Sequence, residues 1–366
     1  MEKILVFSNH PAYTYNLRKE VIDRFIQKGY NVTLAVPYGK EIDYFEGIGV
    51  EIMDIQFKGR SINPLDDFIL LKDCHSIIKT VKPDIVLTYT TKLNIYGGLA
   101  ARMTNTPYIP MITGLGGAIE QDGILQTITS SLYRMGIKKA KTIFIQNDSI
   151  LNKMNQHNMI HVPFEMTPGS GVSLDRHQYS EYPEENNEIR FVFIGRIMRE
   201  KGIYELIEAA KYITKKYPNV IFDVIGYAGL KEDLAFVSEA DKAGLINYLG
   251  EQDDVRPYIH RGHATILPSY FEGMANVLLE SAAAGRPILT TYVPGCRETF
   301  DEGISGFGFE VRDVKSLEEA IENFILLPHE EKRKMGKAGR IKMENLFDRK
   351  IILNMYVDEI ESLNKN

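Results

Sequence analysis

The stretch that decides the fold is Phe193-Ile194-Gly195-Arg196-Ile197-Met198-Arg199-Glu200-Lys201-Gly202. A short apolar run ends in glycine, two cations follow, and an amphipathic pattern typical of a helix begins directly after them. A strand that turns at glycine and leads into a helix is one unit of a parallel α/β fold. The sequence therefore predicts an α/β domain here, with the two cations at the carboxyl end of a strand.

The same alternation extends in both directions. Before this stretch it predicts strands at 3–8, 31–36, 50–54, 84–88, 107–112 and 141–146, and helices at 15–28, 64–81, 93–104 and 124–139. After it come strands at 190–195, 219–225, 245–249, 264–268, 287–291 and 307–311, and helices at 202–216, 230–243, 273–284 and 315–325. These patterns predict two doubly wound α/β domains, 1–170 and 189–347, joined by a linker at 171–188. Such sheets bind ligands beyond the carboxyl ends of their strands, so we expect the site in the cleft between the domains.

The composition is that of a globular protein whose 366 residues exceed what one hydrophobic core usually serves. Cys74 and Cys296 lie far apart, which favours neither a disulfide framework nor a cysteine zinc site. We expect a cytoplasmic protein, because the N-terminus lacks a secretory signal and no apolar run could span a bilayer. The net charge of −6, without a basic block, argues against nucleic-acid binding.

A second constellation is Pro268-Ser269-Tyr270-Phe271-Glu272-Gly273-Met274-Ala275-Asn276-Val277-Leu278-Leu279-Glu280. Gly273 is predicted to open a helix whose first amides can hold a phosphate. Glu272 and Glu280 would then lie about two turns apart on one side, where carboxylates can accept hydrogen bonds from sugar hydroxyls. Arg196 and Lys201 suit a diphosphate. Solvated surface cations and a surface glutamate would give the same pattern, but the small apolar residues after Glu280 favour a buried helix face.

Together, G-R-x4-K-G and E-G-x6-E resemble glycosyltransferase family 4. The resemblance continues through residues 168–172, 293–298 and 303–307 and so covers nearly the whole chain. It implies the GT-B arrangement, in which two Rossmann-like domains face each other. The first domain would take the acceptor and the second the nucleotide sugar, with a final helix at about 348–366 crossing back to the first. The resemblance also implies that the anomeric configuration of the sugar is retained.

Carried over by position, the resemblance assigns catalytic roles to Arg196, Lys201 and Glu272. The two cations would neutralise the departing diphosphate, and Glu272 would accept hydrogen bonds from the donor sugar. Glu280 would hold the ribose. The other predicted nucleotide-sugar contacts are Gly195, Gly226, Gly250, Glu251, Gly273, Met274, Ala275, Asn276 and Val277. Because the sequence has no Asp-x-Asp triplet, we expect no metal, and no cofactor beyond a UDP-linked sugar as co-substrate.

The loop Thr113-Gly114-Leu115-Gly116-Gly117-Ala118-Ile119 fails as a dinucleotide fingerprint, because Ile119 stands in place of the third glycine. We interpret it instead as part of an acceptor cleft, whose candidate residues are His10, Tyr15, Asn16, Gly114, Leu115 and Gly116. Some retaining members of the family have a histidine in this region that contacts the donor sugar. Here glycines replace it, and Glu120 and Asp122 are the candidate substitutes.

Within the family, Ser8, residues 13–18 and the 113–116 loop resemble bacterial enzymes that build surface glycans on undecaprenyl diphosphate. We therefore expect a hexose or N-acetylhexosamine, from UDP-GalNAc or UDP-GlcNAc, to be moved onto a polyprenyl-diphosphate-linked saccharide at the inner face of the cytoplasmic membrane. A set of aromatic and basic side chains is predicted to form a peripheral membrane edge, although an ordinary amphipathic helix has the same pattern: Tyr13, Tyr15, Arg18, Lys19, Arg24 and Lys28.

Three alternatives remain at this stage. One is a family 4 transferase that acts on a soluble acceptor. The others are a non-catalytic nucleotide-sugar-binding subunit and an epimerase-like enzyme on a similar scaffold. The intact Arg196, Lys201, Glu272 and Glu280 argue against loss of activity, and no additional acid or base groups for an epimerase are identifiable.

Overall fold

A computed structural model describes residues 3–57, 63–116, 119 and 123–363. The chain forms two compact units, one of residues 1–170 with 352–366 and the other of residues 171–351. Each unit contains one parallel sheet with helices interleaved between the strands. The predicted α/β class with two Rossmann-like folds is therefore confirmed. Residues 171–188, predicted as a linker, are part of the second unit.

Among its described residues, the first unit has seven parallel strands in the spatial order β3-β2-β1-β4-β5-β6-β7. The strands are β1 Lys3–Phe7, β2 Asn31–Ala35, β3 Glu51–Met53, β4 Ile85–Tyr89, β5 Tyr108–Ile112, β6 Ile143–Ile145 and β7 Phe164–Met166. The helices between them are α1 Pro11–Gln27, α2 Ile42–Gly47, α3 Pro64–Val81, α4 Thr91–Met103, α5 Ile124–Ile137 and α6 Asp148–Gln156.

The second unit has six parallel strands in the order β10-β9-β8-β11-β12-β13. They are β8 Ile189–Ile194, β9 Val220–Ile225, β10 Asn247–Tyr248, β11 Ala264–Leu267, β12 Ile288–Thr291 and β13 Gly306–Phe309. The helices are α7 Ile203–Lys216, α8 Lys231–Lys242, α9 Arg256–Arg261, α10 Asn276–Ala283, α11 Val314–Leu326, α12 His329–Lys342 and α13 Arg349–Leu363. Two 3-10 turns, Arg199–Lys201 and Arg297–Thr299, and a π-helical turn, Met343–Phe347, complete the set.

Both faces of the first sheet are covered, as the nearly continuous apolar sequences of its strands require. The last helix, α13, helps to cover one face, where Ile352, Tyr356 and Ile360 join the core formed with α1 and α2. Tyr356 packs edge-on against Phe144 of β6 at 5.1 Å between ring centroids. The C-terminal segment therefore completes the core of the unit in which the chain begins.

Most predicted elements are present, with ends that shift by a few residues. The alternation of strand and helix patterns in the sequence did not predict the short elements α2, β7, α6 and α9. It also did not predict α12, a strongly charged helix. The predicted helix 273–284 begins only at Asn276. No helix among the described residues is long and apolar enough to cross a membrane.

Helices α4 and α5 approach each other through two glycines. A Cβ on Gly98 would lie 2.4 Å from the carbonyl oxygen of Gly136, and a Cβ on Gly136 would lie 2.7 Å from Cα of Ile95. Both contacts are to backbone, which cannot move aside as a side chain can. Gly98 of α4 and Gly136 of α5 therefore set the distance between the two helices.

We predict that Gly98→Ala destabilises the protein although alanine is the better helix former. The gain in helix propensity, about 0.5–1 kcal/mol, is smaller than the cost of overpacking, about 1–3 kcal/mol. The control is Gly47→Ala in α2, where a Cβ would meet nothing within 4 Å. Urea unfolding should show a loss of stability for the first variant and none for the second. Equal stability of the two variants would contradict the packing argument.

Candidate functional site

Three predicted glycines come together at the carboxyl ends of β8, β9 and β10. The amide of Gly195 donates to the carbonyl of Ile225 at 3.0 Å, and the amide of Gly226 donates to the carbonyl of Gly250 at 2.8 Å. The hydroxyl of Tyr248 donates to the carbonyl of Gly226 at 3.0 Å. These strand ends form one continuous edge, which is where sheets of this class bind ligands.

The two sequence motifs meet next to this edge. Lys201 Nζ and Glu272 Oε1 form an ion pair, and the Ser269 hydroxyl donates to the same carboxylate oxygen at 2.8 Å. The side chains of Lys201 and Glu272 are 19% and 12% exposed, so the pair is largely shielded but still reachable from solvent. Gly202 makes this contact possible, since its φ is +72° and a Cβ there would lie 2.0 Å from the carbonyl oxygen of Pro268.

The loop from Gly273 to Ala275 differs from the sequence prediction, because it precedes α10 instead of belonging to it. The amide of Ala275 donates to the carbonyl of Gly295 at 2.8 Å, and Gly295 itself has a φ of +83°. Ala275 is therefore not available as a backbone donor to phosphate. Asn276 and Val277 occupy the first two helical positions, whose amides have no acceptor within the helix.

Two further predicted residues lie in this loop and at the first position of α10. Met274 is buried, so its side chain contributes to the core of the second unit. Asn276 Oδ1 is buried without a hydrogen-bond partner among the described residues. A buried unpaired acceptor is costly, so this atom is suited to receive a ligand hydrogen bond.

Glu280 lies within α10 with its side chain 23% exposed. Burial raises its pKa from 4.5 to about 7, and the charges of Arg349 and Arg176 oppose that rise. The ring of His177 lies near it, with Nε2 3.9 Å from Glu280 Oε1. This distance is too long for a hydrogen bond.

His177 is buried, and its Nδ1 has no partner among the described residues. Burial, with the charges of Arg176, Arg349 and Arg256, lowers its pKa to about 4. The imidazole is therefore neutral near pH 7. The sequence analysis did not predict which residues surround Glu280, because Arg176, His177 and Arg349 come from segments far from it in the chain.

Two predicted residues are exposed. Arg196 has no hydrogen-bond or ion-pair partner within the described part of the chain. Glu251 lines a groove of about 630 Å³ together with Tyr258 and Arg261, whose guanidinium lies 4.6 Å from the centroid of the tyrosine ring. Among the described residues, no three His, Cys, Asp or Glu side chains gather as a metal ion would require.

The predicted acceptor residues lie at the carboxyl edge of the first sheet, in the segments that follow β1 and β5. His10 and Gly116 are exposed, and the His10 ring lies 4.8 Å from that of Tyr13. Tyr15 packs edge-on against Tyr44 at 5.4 Å. Leu115 is only 2% exposed and belongs to the core, so its side chain cannot line a cleft.

The remaining acceptor candidates differ in exposure. Asn16 is exposed, and Gly114 is half-buried with its carbonyl accepting from the Thr91 hydroxyl at 3.3 Å. Glu120 and Asp122 lie outside the described residues. Sequence analysis missed Thr90, between β4 and α4, which has a φ of +71° and a buried hydroxyl without a partner in the described chain. Strain of this kind in a β-branched residue is frequent at functional sites.

Several side chains of the membrane edge predicted on α1 are occupied within the unit, so this helix offers fewer of them to a bilayer than the pattern predicted. Arg18 is 6% exposed and stacks 4.3 Å from the centroid of Tyr89. Lys19 pairs with Asp23 at 2.6 Å. Lys28 pairs with Glu361. Tyr13, Arg24 and Lys28 of that set are exposed.

Two family models match the chain, one to each unit. Residues 3–147 match the model described as "Glycosyl transferase 4-like", and residues 176–342 match "Glycosyl transferases group 1". The chain belongs to the glycosyltransferases. The resemblance to family 4 drawn from its motifs is confirmed, and the donor motifs fall within the second match.

Three curated relatives give the context. The chain is 24% identical to the N,N'-diacetylbacillosaminyl-diphospho-undecaprenol alpha-1,3-N-acetylgalactosaminyltransferase of Campylobacter jejuni, with 100% of both chains covered. It is 27% identical to the capsular polysaccharide biosynthesis glycosyltransferase CapM of Staphylococcus aureus, over 95% of this chain and 93% of CapM. It is 24% identical to the UDP-Gal:alpha-D-GlcNAc-diphosphoundecaprenol alpha-1,3-galactosyltransferase of Escherichia coli, over 72% and 71%.

Solved structures share the GT-B fold of this glycosyltransferase. The sucrose-phosphate synthase of Thermosynechococcus elongatus superposes with a TM-score of 0.82 at 15% identity, covering 100% of both chains. HepE of Anabaena, solved with UDP and glucose, gives a TM-score of 0.80 at 14% identity over 99% of this chain and 100% of HepE.

The buried carboxylate predicts an unusual pH dependence for Glu280→Gln. Since the pKa of Glu280 is raised from 4.5 to about 7, its contribution to stability is complete below pH 4.5 and is lost as the pH rises through 7. Glutamine has no such loss. The stability of the variant relative to wild type should therefore rise by about 2 kcal/mol between pH 5 and pH 8.

Urea unfolding at both pH values measures this difference. The control is Glu208→Gln, which removes a half-exposed surface glutamate from α7. If Glu280→Gln and wild type lose or gain stability in parallel between the two pH values, the assignment of a desolvated carboxyl is wrong.

Proposed function

We propose that this glycosyltransferase moves a hexose or N-acetylhexosamine, with retention of configuration, from a UDP-sugar to a polyprenyl-diphosphate-linked saccharide in bacterial surface glycan assembly. The observation that carries the proposal is the meeting of Lys201, Glu272 and Ser269 beside the glycine edge of the second sheet. The relatives in Campylobacter jejuni and Escherichia coli, both named for action on undecaprenyl-diphosphate-linked sugars, support the acceptor class.

The donor half of the reaction follows from the charges. When the glycosidic bond to the diphosphate breaks, negative charge develops on the leaving oxygens, and Arg196 and Lys201 are the cations placed to stabilise it. Arg196 can turn toward a diphosphate without breaking an existing pair. Lys201 must divide its hydrogen bonds between the phosphate and Glu272, whose other oxygen can accept from a sugar hydroxyl.

Binding of the nucleoside uses the neighbouring groups. Glu280, once ionised, can accept hydrogen bonds from both ribose hydroxyls. The groove beside Glu251 offers the Tyr258 ring as an apolar wall for the base. A metal ion is not required in this proposal, because two protein cations serve the diphosphate and the sequence lacks the Asp-x-Asp triplet that holds a metal in other transferases.

Nucleotide release tests the activity. The protein is incubated with UDP-, GDP- and ADP-sugars, each with and without a short-chain polyprenyl-diphosphate sugar, and the released nucleotide is measured. We expect acceptor-dependent release of UDP and an α-linked product by NMR. Release that is equally fast with a soluble sugar would assign a soluble acceptor, and no release from any pair would remove the support for a transferase.

At the residue level, Arg196→Ala and Lys201→Ala should each lower kcat by about 10²–10³, the usual effect of losing one donor that stabilises transition-state charge. The free energy of unfolding should change little for Arg196→Ala, whose side chain has no partner in the described part of the chain. It should fall by about 1–2 kcal/mol for Lys201→Ala, because Glu272 keeps only the Ser269 hydrogen bond.

The matched control is Arg199→Ala, which removes a cation from the same segment. Arg199 stacks 4.2 Å from the centroid of Tyr204 and has no proposed contact with the donor. Its kcat should stay within about threefold of wild type. Equal kcat values for all three variants would show that the cations have no separate roles.

A further inference from the structure

Helix α3 exposes large apolar side chains in its first turns. Leu65, Phe68 and Ile69 are 69%, 66% and 48% exposed. Spacings of three and four residues place them on one face of the helix. Soluble proteins rarely leave neighbouring side chains of this size in water without a partner.

Helix α5 repeats the arrangement. Ile124, Leu125 and Ile128 at its N-terminal end are 82%, 52% and 51% exposed, and Met135 near its other end is 46% exposed. The opposite side of α5 is buried, with Tyr133 and Ile137 in the core. The helix thus has apolar side chains on two sides, one packed inside the unit and the other exposed to solvent.

The two exposed faces belong to one layer. Helix α4 packs against both α3 and α5, and each of the three helices follows a strand of the same parallel sheet. Their N-terminal ends therefore lie at the same edge of the unit. We call the six side chains at this edge the apolar rim: Leu65, Phe68, Ile69, Ile124, Leu125 and Ile128.

Cations follow the rim in both helices. Lys72 and Lys79 continue the exposed face of α3, and Arg134, Lys138 and Lys139 are exposed near the end of α5. The acidic Asp67 of α3 is already paired with Lys92 at 2.7 Å and accepts from the Tyr96 hydroxyl at 2.8 Å. Each helix thus presents apolar groups first and positive charge behind them.

We propose that the apolar rim docks on a lipid bilayer, with its six side chains in the acyl boundary and the cations behind it at anionic headgroups. The same order of apolar groups and cations on two neighbouring helices matches the depth profile of a membrane interface. A protein partner would not require apolar groups followed by cations on both helices. The proposal rests on the proposed function to the extent that a polyprenyl-linked acceptor is held in such a bilayer.

This surface differs from the one predicted on α1, where Arg18 is buried and Lys19 and Lys28 are paired. Membrane contact through α3 and α5 uses side chains that are about half or more exposed. It also leaves the carboxyl edge of the first sheet next to the bilayer, because α3, α4 and α5 begin at that edge.

The sequence allows a site-specific test, because the chain contains no tryptophan. Phe68→Trp and Ile128→Trp each introduce a single fluorophore into the apolar rim. The control is Leu326→Trp, at a 70% exposed position on α11 of the second unit. Each variant is mixed with vesicles of phosphatidylglycerol and phosphatidylethanolamine, with and without brominated acyl chains, in the absence of donor and acceptor.

We expect blue-shifted emission and bromine quenching at positions 68 and 128 and neither at 326. The triple variant Phe68→Ser, Ile124→Ser, Ile128→Ser should bind the vesicles at least about tenfold more weakly, since binding scales with buried apolar area. Its turnover of a detergent-free, short-chain acceptor should stay near wild type. Lys72→Gln with Lys138→Gln should weaken binding to anionic vesicles and reduce its salt dependence.

Unquenched probes at 68 and 128, or equal vesicle binding by the triple variant and wild type, would overturn the proposal. So would a wild-type dimer in light scattering that the triple variant abolishes while neither protein binds vesicles, because the rim would then bind a second copy. These outcomes are independent of the transferase assay, which needs the donor and the short-chain polyprenyl-diphosphate sugar but no membrane.

Discussion

The close contact of Gly202 with the carbonyl of Pro268 is the constraint on which the candidate donor site depends. It brings the turn after β8 against the end of β11, and only then can Lys201 reach Glu272. A second close contact, between Gly295 and the backbone of Glu272, fixes the same loop from its other side. The charged groups are thus positioned by backbone packing, and their mutual attraction adds to a geometry that the glycines already impose.

Sequence analysis could predict this site because its residues lie in short local motifs next to strand ends. It placed the helix too early, since it could not foresee that the carbonyl of Gly295, a loop distant in sequence, would bind the amide of Ala275. It could not supply His177 or Arg349 either, because nothing in a local pattern indicates that they surround Glu280. Hydrophobic periodicity predicts helices, strands and local motifs. Contacts between loops that are distant in sequence can be seen only in the folded structure.

The first unit illustrates the complementary limit. Helix α1 has the cations and aromatics of a membrane-binding helix, but Arg18 stacks on Tyr89 inside the unit and Tyr15 packs on Tyr44. Helices α3 and α5 have apolar residues on more than one side, and sequence alone does not show which side meets the sheet. Once α4 occupies the space between them, the apolar residues of their first turns are left outside. The packing of these helices in one layer decides which of their apolar side chains are exposed. The amphipathic pattern of a single helix does not determine this by itself.

Glu280 shows why such a site is maintained at a cost to stability. A carboxyl that titrates near pH 7 is held in the fold against its own desolvation, and a glutamine there would avoid that penalty. The neutral His177 offers no compensating charge, and the guanidiniums of Arg349 and Arg176 offset only part of the burial. A ribose, however, presents two neutral donors that an ionised carboxylate accepts better than an amide does. Under the role proposed for Glu280, water is already largely removed from this carboxylate, so little reorganisation would remain when a ribose binds, and the energy lost in folding would be recovered in the strength of those hydrogen bonds.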